Sequence, residues 1–174
     1  MSELGRMNAE EFKASGKFPI VLILDNIRSG LNVGSIFRSA DAFRIAKIYC
    51  CGYTPVPPHR EVLKSALGAT TTVDWEYVQD GAELVQMLRN EGMDVFALEQ
   101  TTGSIPLGEF VPSAKNTAYV LGNEVHGVAE DILNKCTGSV EITQHGTKHS
   151  LNVAVCAGIT LFSISEKLVK QNHQ

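Results

Sequence analysis

The chain has no uninterrupted apolar stretch of the ~20 residues that a membrane-spanning helix requires; its longest apolar helical pattern holds about 14 apolar residues. Its first residues, MSELGRMNAEEF, lack a basic segment followed by an apolar one, so no signal peptide is expected. Cysteine is scarce, and the four present (Cys50, Cys51, Cys136 and Cys156) show no metal-ligand spacing, which predicts reduced thiols in a cytoplasmic protein. Also missing are the Gly-x-Gly-x-x-Gly of dinucleotide sites, the Gly-Lys-Ser/Thr of phosphate loops and the Gly-x-Ser-x-Gly elbow of hydrolases. Neither a dinucleotide nor ATP is therefore favoured as ligand, and Ser150 is not expected to be a nucleophile. His145 and His149 stand four residues apart without a third ligand, so no metal is expected. The net charge of −4 argues against a general electrostatic grip on nucleic acid, while leaving room for a local basic patch.

What is present reads as one domain, residues 1–174, of ordinary globular composition: 44% apolar and 20% charged, with no repeat or linker. A short helix over Ala9–Ser15 lies in an N-terminal extension, 1–19, and ends before Gly16 and Pro19. The continuous apolar run Ile20–Leu24 predicts a buried strand. Asn32 is then placed as the N-cap of a helix over Val33–Phe43, with Arg38 inside that helix. Further strands are expected at Ala46–Cys51, Val73–Val78, Asp94–Glu99, Ala118–Leu121 and Val140–Ile142, with helices over His59–Leu67, Gly81–Glu91 and from about Ala129. Thr101–Pro112 reads as loop. A last helix from Ser150 is apolar nearly all round and is expected to lie inside the protein or on a dimer surface. Alternating strands and helices predict an α/β fold, mainly a parallel sheet flanked by helices. Ligands of such sheets bind at the carboxyl ends of the strands.

Three stretches carry chemistry. The segment Asp25–Lys64 holds six cations (Arg28, Arg38, Arg44, Lys47, Arg60 and Lys64) against three anions, a basic excess within an acidic chain. Arginine binds phosphate in a bidentate fashion, and this segment suits RNA phosphates, although a salt-bridged surface with Arg38 paired to Asp41 would have the same composition. The second stretch, Leu121-Gly122-Asn123-Glu124-x-x-Gly127, follows a strand and lets backbone groups approach a ligand; a simple turn would read the same. The third is Ser150-Leu151-Asn152, where Ser150 as a helix cap is the plainer reading.

Together, the three resemble the three sequence motifs of the SpoU (TrmH) family of RNA ribose methyltransferases, within the SPOUT superfamily. Asn32-Val33-Gly34-Ser35-Ile36-Phe37-Arg38 matches the first motif, Leu121–Val128 the second, and Ile142 with Ser150–Val153 the third, in the family's order across about Ile20–Ser165. The resemblance implies a catalytic core of about 20–165 whose C-terminal part forms a deep trefoil knot. It implies S-adenosylmethionine as cofactor, held by Leu98, Gln100, Leu121, Gly122, Gly127, Ile142, Gln144 and Leu151. It also implies methyl transfer to a ribose 2′-hydroxyl of tRNA or rRNA. Arg38 would be the central catalytic residue, with Asn32, Glu124, Ser150 and Asn152 orienting it, the nucleotide and the loops. RNA would be gripped by Arg28, Arg38, Arg44, Arg60 and Lys64 on a cytoplasmic homodimer, without metal or membrane. The alternatives are a base-nitrogen methyltransferase of the same superfamily and a non-catalytic RNA-binding module.

Overall fold

The computed structural model describes residues 7–147 and 150–171. Seven strands form one sheet: β1 Phe18–Asp25, β2 Ile45–Cys51, β3 Trp75–Val78, β4 Asp94–Leu98, β5 Ile105–Pro106, β6 Thr117–Leu121 and β7 Gly138–Glu141. Their order is β3-β2-β1-β6-β4-β7-β5, and every pairing is parallel. The helices are α1 Ala9–Ala14, α2 Gly30–Ala42, α3 Arg60–Ala66, α4 Gly81–Asn90, α5 Glu130–Leu133 and α6 Val153–Gln171.

A continuous apolar run in a parallel sheet feeds two cores, because successive side chains point to opposite faces. In β1, Ile20, Leu22 and Leu24 pack with Val33, Ile36 and Phe37 of α2 and with Leu161 and Ile164 of α6. Val21 and Ile23 pack on the other face with Leu84, Val85 and Leu88 of α4 and Ile132 of α5. Each fully buried aliphatic side chain contributes about 1.5–3 kcal/mol of apolar burial. The two layers therefore anchor β1 and β6 at the centre. On the first face α2 crosses α3 so closely that a Cβ on Gly34 would sit 2.3 Å from the carbonyl oxygen of Val62. The glycine of the first motif thus serves contact with another backbone rather than with a ligand.

Several sequence expectations are corrected. α2 begins at Gly30, and its N-cap is Ser29, whose Oγ accepts from the Asn32 N–H. Asn32 is thereby moved into the first turn, with its side chain available elsewhere. α6 begins at Val153 rather than at Ser150. The cap is Asn152, whose Oδ1 accepts from the N–H groups of Ala154 and Val155. The stretch expected as loop contains β5, a two-residue edge strand paired with β7, too short to show any periodicity. β7 ends at Glu141, which leaves Ile142 in the following loop. α6 is not wholly interior: Val155, Ile159 and Phe162 are 50%, 39% and 57% exposed along one face. An all-round apolar helix packed on only one side leaves such a stripe.

Candidate active site

The carboxyl ends of β4, β6 and β7 run into three loops that enclose a cavity of about 540 Å³. That is within the ~300–1,000 Å³ typical of small-molecule sites. Leu98, Gln100, Leu121, Gly122, Gly127, Ile142, Gln144 and Leu151 all line it, as do Glu124 and Ser150. Asn32, Arg38 and Asn152 lie outside the lining; Asn32 adjoins it through Glu124, and Asn152 lies between Leu151 and Val153 of the cavity wall.

The loop after β6 is a closed turn. Asn123 and Gly127 exchange backbone hydrogen bonds at 3.0 and 2.8 Å, and Asn123 Oδ1 accepts from the N–H groups of Val125 and His126. Gly127 has φ +68°, and a Cβ there would lie 2.2 Å from Glu99 Oε2, so a side chain at this position is excluded twice over. Glu99 Oε2 in turn accepts from the Val128 N–H at 3.0 Å. Glu99 was not among the residues singled out in the sequence. Its only signal there is an acid directly after a buried strand.

The turn aims Glu124 at the start of α2. Its carboxylate accepts from the backbone N–H of Arg28 at 2.8 Å, that of Ser29 at 3.1 Å and the Asn32 side-chain amide at 2.9 Å. Asn32 Oδ1 then accepts from Asn152 Nδ2 at 3.1 Å. One hydrogen-bonded chain, Asn152–Asn32–Glu124, therefore joins three segments that lie up to 120 residues apart. Partial burial works to raise the pKa of Glu124, but the Arg28 N–H, the Asn32 amide and the Ser29 N–H outweigh it and hold the carboxyl below its usual range. The negative charge also faces the positive end of the helix.

Arg38 lies seven residues after Leu31 on the exposed side of α2, about 10 Å along its axis. The alternative pairing with Asp41 is not formed: Asp41 accepts from Thr72 Oγ1, and Arg38 has no ion-pair partner among the described residues. Ser150 is exposed at the cavity wall. Arg28 and Arg60 are exposed at the site end of α2 and α3, with Lys64 one turn further along α3. Arg44 is elsewhere, at the amino end of the sheet before β2, with its guanidinium 5.9 Å from the Phe18 ring. Among the described residues no group of three or more His, Cys, Asp or Glu could hold a metal, and His149 lies outside them. No described helix is long and apolar enough to cross a membrane.

Known proteins resemble this chain in sequence and in fold. Two curated relatives are 23S rRNA (guanosine-2′-O-)-methyltransferases named RlmB, from Vibrio vulnificus and Neisseria meningitidis, 28% and 29% identical over 97% and 90% of this chain. The chain spans 68% and 62% of their lengths. The crystal structure of an Aquifex aeolicus TrmH/SpoU tRNA modifying enzyme superposes with a TM-score of 0.82 at 23% identity, over 94% of this chain and 82% of that one. An AdoMet-bound rRNA methyltransferase from Sinorhizobium meliloti gives 0.77 at 25% identity, over 89% and 58%. The SpoU rRNA Methylase family profile matches residues 19–162, which takes in all three motifs, and the chain belongs to that family.

Proposed function

We propose that this protein transfers a methyl group from S-adenosylmethionine to a ribose 2′-hydroxyl of tRNA or rRNA. The observation that carries the reading is the Asn152–Asn32–Glu124 chain, which ties the family's three motifs together at the rim of one cavity. The cavity suits the cofactor: Leu98, Leu121, Ile142 and Leu151 offer apolar contact for an adenine, strand-end backbone groups offer polar contacts, and Glu99 and Glu124 offer negative charge to a sulfonium. When bound, S-adenosylmethionine supplies a methyl group on a positively charged sulfur.

The protein's part is positioning and charge. The 2′-oxygen must sit in line with the methyl group, and alignment of that kind can account for about 7–11 kcal/mol of a barrier in favourable cases. As the oxygen–carbon bond forms and the carbon–sulfur bond breaks, the hydroxyl proton has to leave. Guanidinium has no lone pair to receive it, so Arg38 holds the adjoining phosphate and stabilises the developing alkoxide, while that phosphate takes the proton. Glu124 and Asn152, through Asn32, fix the start of the helix that carries Arg38. Ser150 stands at the cavity wall to meet the nucleotide. Arg28, Arg60 and Lys64 extend the basic face along the RNA. Arg44, at the far end of the sheet, is not part of that face.

We further infer that the C-terminal segment is threaded as a trefoil knot. In support, β6 enters the sheet between β1 and β4, β7 returns beyond β4, and α6 crosses back to α2. Lys167 of α6 then pins the segment after β5 by donating to the carbonyl oxygens of Leu107, Gly108 and Phe110. The stripe of Val155, Ile159 and Phe162 supports a homodimer built on this face. Phe162→Glu should convert the dimer to monomer in sedimentation analysis; an unchanged mass would remove this face from the interface. The four unpaired cysteines suit a reducing, cytoplasmic setting.

The reaction is tested by incubating the protein with labelled S-adenosylmethionine and bulk tRNA or rRNA, then digesting the RNA to nucleosides. Label in a 2′-O-methylnucleoside is the expected result. Label in a base would assign the chemistry to nitrogen methylation, and no transfer despite cofactor binding would favour a binding module. Arg38→Ala should lower turnover far more than cofactor affinity.

A further inference from the structure

A second crevice, of about 410 Å³, opens at the carboxyl ends of β1, β2 and β3, on the other side of Asn123 from the cofactor cavity. Its chemistry differs from that of the first. Tyr53 stands at its mouth with the residue 60% exposed, yet the hydroxyl is fixed, accepting from Asn123 Nδ2 at 2.7 Å. The same amide donates to the carbonyl oxygen of Asn26 at 2.9 Å, so Asn123, which lines the first cavity, is bonded to two residues that line the second. An exposed aromatic ring immobilised by its polar end is a ready stacking surface for a base.

The remaining lining is polar and acidic. Asp25 is 3% exposed; its Oδ2 accepts from Asn26 Nδ2 at 3.1 Å, whereas its Oδ1 has no hydrogen-bond partner among the described residues. The Tyr77 hydroxyl lies 3.0 Å from the Gly52 carbonyl oxygen and 2.8 Å from the Gln79 amide, whose other end has no partner among the described residues. Asp80 and Asp131 add negative charge to the walls. Phosphate is repelled by such a lining, and the exposed cations Arg28, Arg38, Arg60 and Lys64 belong to α2, α3 and the loop before α2 rather than to this crevice. A group that offers N–H donors is favoured.

We propose that this crevice receives a guanine base of the RNA substrate, close to the nucleotide that is methylated, and so selects the site of modification. The proposal rests on the RNA-methylating role above. Guanine alone among the four bases presents adjacent N1–H and N2–H donors beside the O6 acceptor. The donors face Asp25 Oδ1, the free end of the Gln79 amide lies in the same lining, and the ring stacks on Tyr53. Burial holds the carboxyl of Asp25 above its usual range, and the single bond from Asn26 only partly offsets this. A donor edge brought to Oδ1 supplies what the folded chain leaves unmet.

The test uses the full chain saturated with S-adenosylhomocysteine, so that the cofactor cavity is filled, and titrated with GMP, AMP, CMP and UMP by ligand-detected NMR. GMP should bind about tenfold or more tightly than UMP, in line with the ~1–3 kcal/mol typical of recognition at one base. Tyr53→Ala should weaken GMP by about tenfold, the scale of one lost base–aromatic stack, while Tyr53→Phe, which keeps the ring but frees it from Asn123, should weaken it less. Asp25→Asn should erase the preference for GMP over UMP. Equal affinities for the four nucleotides, or GMP binding unaffected by Tyr53→Ala, would overturn the proposal even if Asp25→Asn failed to fold. Absence of S-adenosylhomocysteine binding would count against the methyltransferase reading alone, since sensitivity to Tyr53 still reports on the crevice.

Discussion

Asp25 and Glu124 stand at the carboxyl ends of neighbouring parallel strands, β1 and β6, and their surroundings push them in opposite directions. Glu124 is the more exposed of the two and is encircled by the Arg28 and Ser29 N–H groups and the Asn32 amide. Its pKa falls despite partial burial. Asp25 is almost fully buried with a single donor, from Asn26, and its pKa rises. Burial prevails at Asp25, where one donor faces it and Asp131 and Asp80 add to the rise, whereas at Glu124 the donors together outweigh burial. Glu124 is favoured as an anion and holds the start of α2. Asp25 keeps Oδ1 without a hydrogen-bond partner among the described residues, which leaves it open to an added donor.

The largest break in that contrast is Glu124→Ala. It removes three charge-assisted hydrogen bonds and orphans two backbone N–H groups at the start of α2. A stability loss of about 2 kcal/mol is expected by denaturant titration, after allowance for partial exposure. Methyl transfer should fall by about 100-fold or more, since small displacements of positioning groups cost that much. Unchanged turnover would show that Arg38 is placed without Glu124. Next is Asn32→Ala, which severs the link to Asn152 while leaving both backbone donors on Glu124. A loss of about 1 kcal/mol is expected, with turnover reduced more than cofactor affinity.

The two carboxylates should also oppose one another in pH dependence. The folded pKa of Glu124 lies below the unfolded value, so its contribution is present above the ordinary carboxylate range and is lost as pH falls through the folded pKa. For Asp25 the folded pKa lies above the unfolded value, so its contribution is present at low pH and is lost as pH rises through the folded pKa. Asp25→Asn should therefore raise the thermal midpoint at pH 7, and the gain should vanish below about pH 3.8, the ordinary aspartate value. A gain that persists at low pH would mean that packing, not ionisation, distinguishes the variant.

The contrast itself was only half legible in the sequence. Glu124 was marked by its place after Leu121-Gly122-Asn123 and by the motif around it. Asp25 carries no such mark, because its burial and donor count depend on Gly81 and Asn26 packing against it in three dimensions. The strands were legible because continuous apolar runs such as Ile20–Leu24 have few other uses. Ends were less so: Asn32 looked like a cap because it is a good capping residue, yet Ser29 caps the helix and Glu124, 92 residues away, takes the Asn32 amide. Periodicity cannot register a contact of that range. The same holds for Glu99 against Gly127 and for Tyr53 against Asn123, both absent from the sequence-based site. The apolar circumference of α6 was legible, but which side stays uncovered is set by the sheet on which it packs.

Ser29→Ala supplies the smallest and most discriminating change. If α2 were capped mainly from within its own segment, losing the Ser29 hydroxyl would cost about 1 kcal/mol or more, as helix caps commonly do. Its bond to the Asn32 N–H is long, 3.3 Å, while the N–H groups of Arg28 and Ser29 are held from β6 by Glu124 at 2.8 and 3.1 Å. The expected loss is therefore only about 0.5 kcal/mol, with turnover unchanged within twofold. In a Glu124→Ala background the same substitution should cost more than it does alone, because the hydroxyl then remains as the last side-chain acceptor at that end. Additive losses in a double-mutant cycle would separate the two caps and leave Glu124 as an anchor for Asn32 only.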